Sequence, residues 1–153
     1  FIRCLRHVYQ QPGGLEALFR PLPEDEPDSG AHITRARAAF FSIRHPARTR
    51  KHFADPSAGS AAKRINMFLR WMVRNDGRGV DFGIWKSLTP AQLFCPLDVH
   101  SGRVARELKL LRRKQDDWTA VVELTRNLRR LDPADPVKYD FALFGFGVQD
   151  RGR

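Results

Sequence analysis

Residues 95–131, CPLDVHSGRVARELKLLRRKQDDWTAVVELTRNLRRL, decide the fold. Within them Val104, Leu108 and Leu111 fall in helical phase while Arg103, Arg106, Lys109 and Arg113 turn elsewhere. Asp116 or Asp117 then stands at an N-cap position before a second helix with Val121, Leu124, Leu128 and Leu131 on one face. Its last turn holds Arg126, Arg129 and Arg130, where cations suit the helix dipole. Asp98 itself precedes the first of these helices and has the chemistry of an N-cap.

The same period continues outward. Ile33, Ala36, Phe40 and Ile43 make a helix face that Pro46 ends. From Ala61 to Arg74, Ile65, Phe68, Leu69 and Met72 form an apolar stripe beside a basic one of Lys63, Met67, Arg70 and Arg74. Asn75-Asp76-Gly77 breaks that helix, Thr89-Pro90 opens a short one through Leu93, and Asp135-Pro136 opens a last one carrying Tyr139, Phe141, Leu143 and Phe144. No segment alternates as a strand does, so the expected class is all-α, with seven or eight short helices. Residues 21–30, PLPEDEPDSG, read as a solvated acidic loop that divides an N-terminal helical segment, 1–30, from a helical domain, 31–150.

Composition limits the function. At 153 residues and 42% hydrophobic content the chain can bury a core without staples. No apolar run is long enough to span a membrane. Lys and Arg number 27 against 17 acids, a net charge of +10, which favours a polyanionic partner. Cys4 and Cys95 cannot make a disulfide framework or an iron–sulfur or zinc site; they fit a reducing cytoplasm. Phe1 in place of Met, with no signal-peptide order after it, reads as a chain lacking part of its N-terminal region.

Pro96, Asp98, His100, Arg103 and Val104 fall on the matching positions of the P-V-D-T-H-V-x-R-V segment of the helix-hairpin-helix DNA glycosylases. GSAAKRINMFLRWMVR at 59–74 and VDFGIW at 80–85 extend the match. Together these resemble an uncharacterised bacterial family within that superfamily, nearest to the archaeal 8-oxoguanine DNA glycosylases. The resemblance covers residues 14 to 148. It implies a helix-hairpin-helix glycosylase-like helical domain acting as a monomer on duplex DNA that carries a damaged base, bacterial and nucleoid-associated, with no cofactor and no metal.

In that resemblance Asp98 is the catalytic carboxylate and Lys63 the nucleophile of a bifunctional glycosylase and lyase. The chemistry asks for both types. Base excision passes through a sugar with positive charge at C1′, which a carboxylate stabilises. An unprotonated amine that attacks C1′ forms a Schiff base and lets the strand be cut by elimination. The turn 55–60, DPSAGS, takes the place of the hairpin; Gly59 keeps one of its two glycines, and Lys63 lies four residues beyond it. Arg48, Arg50, Lys51, Gly59, Ser60, Arg64, His100 and Arg103 are the candidate DNA contacts, and Phe68, Trp71, Phe82 and Trp85 the candidate base pocket. Two alternatives stay open: a DNA-binding relative without base excision, and a basic RNA-binding accessory domain.

Overall fold

The computed structural model describes residues 1–149; the domain end expected at 150 lies outside them. Among the described residues seven α-helices follow one another: α1 (Ile2–Tyr9), α2 (Gly14–Leu18), α3 (Ala31–Phe40), α4 (Lys63–Val73), α5 (Val99–Glu107), α6 (Trp118–Leu131) and α7 (Asp140–Gln149). Short 3-10 turns at Ala47–His52, Pro56–Ala58, Pro90–Gln92 and Pro136–Tyr139 join them. Among the described residues the only β pairing is an isolated bridge between Ser60 and Asp117, so the class is all-α. No helix there is long and apolar enough to cross a membrane.

One core runs through the described chain. Ile33, Leu69, Leu97, Val121, Leu124 and Leu128 are buried in it together with Cys4, Val8 and Phe19 from the first two helices. The acidic loop is not simply solvated. Both carboxylate oxygens of Asp28 are taken, one by Arg129 and one by Arg126 Nε at 2.7 Å, and its carbonyl accepts from Trp118 Nε1 at 3.0 Å. Asp25 pairs with Arg35 at 2.5 Å. The loop therefore ties α3 to α6 and neutralises part of the basic face of α6.

Several helix limits differ from the periodic reading. α3 ends at Phe40, before Ile43, with Phe41 as its buried C-cap residue outside the helix. α4 begins at Lys63 because Ala62 sits at φ 47°, outside the right-handed helix. α5 stops at Glu107, so Leu108 is exposed and Leu111 reaches the core from a turn instead. The stop is a Schellman motif: Leu110 N–H donates to the Ala105 carbonyl at 2.8 Å and Lys109 N–H to Arg106 at 3.0 Å. Lys109 at φ 58° occupies the position usually held by glycine. The final apolar stretch splits into the 3-10 turn at Pro136 and α7, which buries Leu143 and leaves Phe141, Phe144 and Phe146 exposed.

α7 is laid against α5 by a close approach. A Cβ on Gly147 would stand 2.8 Å from the His100 carbonyl oxygen, so only glycine fits there. This crossing, and the N-termini of α4 and α5, frame the candidate site.

Candidate active site at the N-termini of two helices

Asp98 caps α5. Its Oδ1 accepts the N–H groups of His100 at 2.8 Å and Ser101 at 2.9 Å, and its own N–H donates to Ser101 Oγ at 3.0 Å. The expected capping role therefore consumes one carboxylate oxygen and leaves the other free. That second oxygen, Oδ2, lies 2.7 Å from Lys63 Nζ, on the first residue of α4 and 35 positions earlier in the chain. The Asp98 side chain is 13% exposed and that of Lys63 42%, so the pair is partly screened and open on the lysine side. Burial alone would raise the Asp98 carboxyl; the Lys63 hydrogen bond and the capping N–H groups outweigh it and hold the carboxyl below its ordinary 3.8.

A second carboxylate lies beneath. Asp140, at the start of α7, is raised above 3.8, first by burial and then by the nearby Asp98, against the pull of Arg70. Arg70 Nη1 donates to Asp140 at 2.6 Å and Nη2 to Asp81 at 3.2 Å, and its guanidinium lies 3.8 Å from the centre of the Phe141 ring. Asp81 also accepts from Arg74 Nη1 at 2.6 Å, and Arg74 Nε reaches Asp135 at 2.7 Å. Arg70 and Arg74, placed on the basic stripe by the sequence, are thus drawn into an ionic network. Arg70 is buried because Asp81 and Asp140 arrive from distant parts of the chain to pair with it.

The expected DNA contacts are partly gathered. Lys51, Ser60, Lys63 and Arg64 line one cleft of about 460 Å³. Gly59 at its edge has φ 82° and nothing within 4 Å of a Cβ position, so its backbone is open to close approach. Its carbonyl, however, is held by Trp118 N–H at 3.0 Å, and Ser60 Oγ caps Ala62 N–H at 3.2 Å. Arg48 and Arg50 are exposed on the neighbouring 3-10 turn but line other depressions, and Arg50 Nε donates to His45 Nε2 at 3.1 Å. His100 packs edge-on to Phe144 at 5.9 Å. Arg103 donates to the Gly147 carbonyl at 3.1 Å and to Glu107 at 2.8 Å, which fixes α7 to α5.

The four rings expected as a base pocket are not gathered in one place. Phe68 and Trp85 meet edge to face at 5.3 Å and both pack on Phe19, so their area serves the core. Trp71 is half-buried and Phe82 is exposed. On α7, Phe141 lies under the Arg70 guanidinium and Phe144 against the His100 ring, two rings for which the sequence offers only an apolar run after Asp140. Among the described residues no group of three or more His, Cys, Asp or Glu side chains could hold a metal ion. Cys95 is fully buried and its thiol is pushed well above 9.0 by that burial, so it is held as the thiol.

Over residues 1–149 the chain matches a protein family of unknown function, DUF2400, and it belongs to that family. No curated protein and no solved structure matches it.

Proposed function

We propose that this DUF2400 protein is a base-excision DNA glycosylase of the helix-hairpin-helix kind, with lyase activity supplied by Lys63. The observation that carries the reading is the 2.7 Å contact between Lys63 Nζ and Asp98 Oδ2 at the N-termini of two helices. Amine and carboxylate are the two groups this chemistry needs, and here they touch. The cap on Oδ1 fixes the carboxylate, so Oδ2 is aimed at the amine rather than free to rotate.

In the proposed sequence Asp98 takes a proton from Lys63, and the nitrogen lone pair forms a bond to C1′ of the damaged nucleotide. The glycosidic bond breaks, and its electron pair leaves with the base, which takes up the proton held by Asp98. Ring opening then breaks the C1′–O4′ bond, O4′ keeps its electron pair and takes a proton released by Nζ, and an iminium is left between Nζ and C1′. Loss of the C2′ proton expels the 3′ phosphate and cuts the strand. Asp98, ionised again once its proton has passed to the departing base, stabilises the positive charge that remains at C1′. The exposed Lys51 and Arg64 beside Ser60 hold backbone phosphates at the cleft. The resemblance to 8-oxoguanine glycosylases makes 8-oxoguanine the first substrate to try.

The test is a cleavage assay on duplexes containing 8-oxoguanine, comparing the wild type with Asp98→Asn. Asparagine keeps the cap, so the variant folds and binds DNA. The expected result is release of base by the wild type and loss of at least about a hundredfold in rate for Asp98→Asn at similar DNA affinity. Equal release of base by both would remove Asp98 from the chemistry, and release by neither at retained DNA affinity would leave a DNA-binding protein.

A further inference from the structure

Residues 78–86 form an irregular segment strapped across the end of α4. Phe82 N–H donates to the Trp71 carbonyl at 2.7 Å and Trp85 N–H to Met72 at 2.8 Å. Asp81 is buried between Arg70 and Arg74. Gly83, at φ 60°, has the Asn75 side chain 2.5 Å from where a Cβ would sit. These anchors bury every second residue, Asp81, Gly83 and Trp85. The alternate ones are forced outward: Val80, Phe82 and Ile84 are 43%, 56% and 62% exposed.

Such a row does not serve the core. A flexible loop could fold its apolar side chains inward, but this one is pinned by a buried ionic contact and by backbone bonds to a helix. Its ends are cationic: Arg78 and Lys86 flank the row and both are exposed. We propose that this row is a stacking platform for the bases of a locally opened DNA strand, with Phe82 at its centre and Arg78 and Lys86 on the phosphates.

The proposal rests on the DNA reading above and adds a second contact to it. Unstacked bases present apolar faces between phosphates, which is the pattern of an apolar row ended by cations. A partner protein would also cover apolar side chains, but the cationic ends and the +10 charge of the chain favour a polyanion. The platform is also joined to the candidate site, because one guanidinium, that of Arg70, holds both Asp81 in the segment and Asp140 beneath the ion pair.

The test compares full-length wild type, Phe82→Ala and Phe82→Trp on two DNAs by fluorescence anisotropy, a fully paired duplex and the same duplex with a short central bubble. The wild type and Phe82→Trp are expected to prefer the bubble by about tenfold or more, and Phe82→Ala to lose that preference while binding paired duplex as the wild type does. Phe82 is exposed, so circular dichroism should show no loss of fold. Equal bubble affinity in wild type and Phe82→Ala overturns the platform and leaves the DNA reading standing. No binding of either DNA by the wild type at low salt overturns both. A wild-type dimer in sedimentation that Phe82→Ala dissociates, with DNA affinity unchanged, assigns the row to a contact between copies and overturns the platform.

Discussion

Helix α4 makes two kinds of cation–carboxylate contact, and they differ in almost everything except charge. At its N-terminus Lys63 meets Asp98 across 2.7 Å with the lysine 42% exposed. In its second half Arg70, and just past its end Arg74, meet Asp81, Asp135 and Asp140, with the Arg70 side chain 2% exposed. The buried set is a forked network in which each guanidinium serves at least two carboxylates, as its planar donors allow. The N-terminal pair joins one ammonium to one oxygen and leaves the amine within reach of a substrate. Position along one helix thus separates a contact that holds the fold from one free to do chemistry.

The comparison breaks most readily at its buried end. Arg70→Met leaves Asp140 without its cation and Asp81 with half of its pairing. It is expected to cost about 3–5 kcal/mol in denaturant unfolding. A loss under about 1 kcal/mol would mean that the network is held by packing. Next in size is Asp28→Ala, which frees Arg126 and Arg129 from the acidic loop; about 1–3 kcal/mol should be lost, with a lower melting temperature as the readout.

Asp98 separates capping from pairing. Asp98→Ala removes both and is expected to be about 1 kcal/mol less stable than Asp98→Asn, which keeps the cap. Lys63→Met should change stability least, by under about 1 kcal/mol, because the pair is partly exposed.

The same variant sharpens the comparison through pH. Asp98 has its carboxyl below 3.8 in the folded protein, so its contribution is present above that value and is lost as the pH falls through the lower folded one. Without Lys63 one lowering cause is gone, and Asp98 should titrate at higher pH, read from its carboxyl NMR shift. An unchanged titration would assign the lowering to the capping N–H groups alone.

Much of the fold was legible because its signals are local. The aspartate caps, the Thr89-Pro90 turn and the α6 stripe depend on residues within a turn of one another, and the structure has them at Asp98, Asp117, Gln92 and Leu124, with the stripe ending at Leu128 because Leu131, at the last position of α6, is exposed. The early end of α5 was hidden because Lys109, not glycine, takes the left-handed position. The burial of Arg70 was not legible because the carboxylates that pair with it lie 11 and 70 residues away. Trp85 and Phe68 looked available as a pocket because composition does not say whether an aromatic ring meets Phe19 or a ligand. At the site, Asp98 and Lys63 were named from a motif; their contact is a tertiary fact that spacing alone does not fix.

The most direct test of the central proposal is borohydride trapping on duplexes containing 8-oxoguanine or an abasic site, with wild type, Lys63→Ala and Asp98→Asn. The account predicts a covalent protein–DNA adduct in the wild type that disappears in Lys63→Ala. An adduct that persists in Lys63→Ala, or none on any substrate, would contradict it.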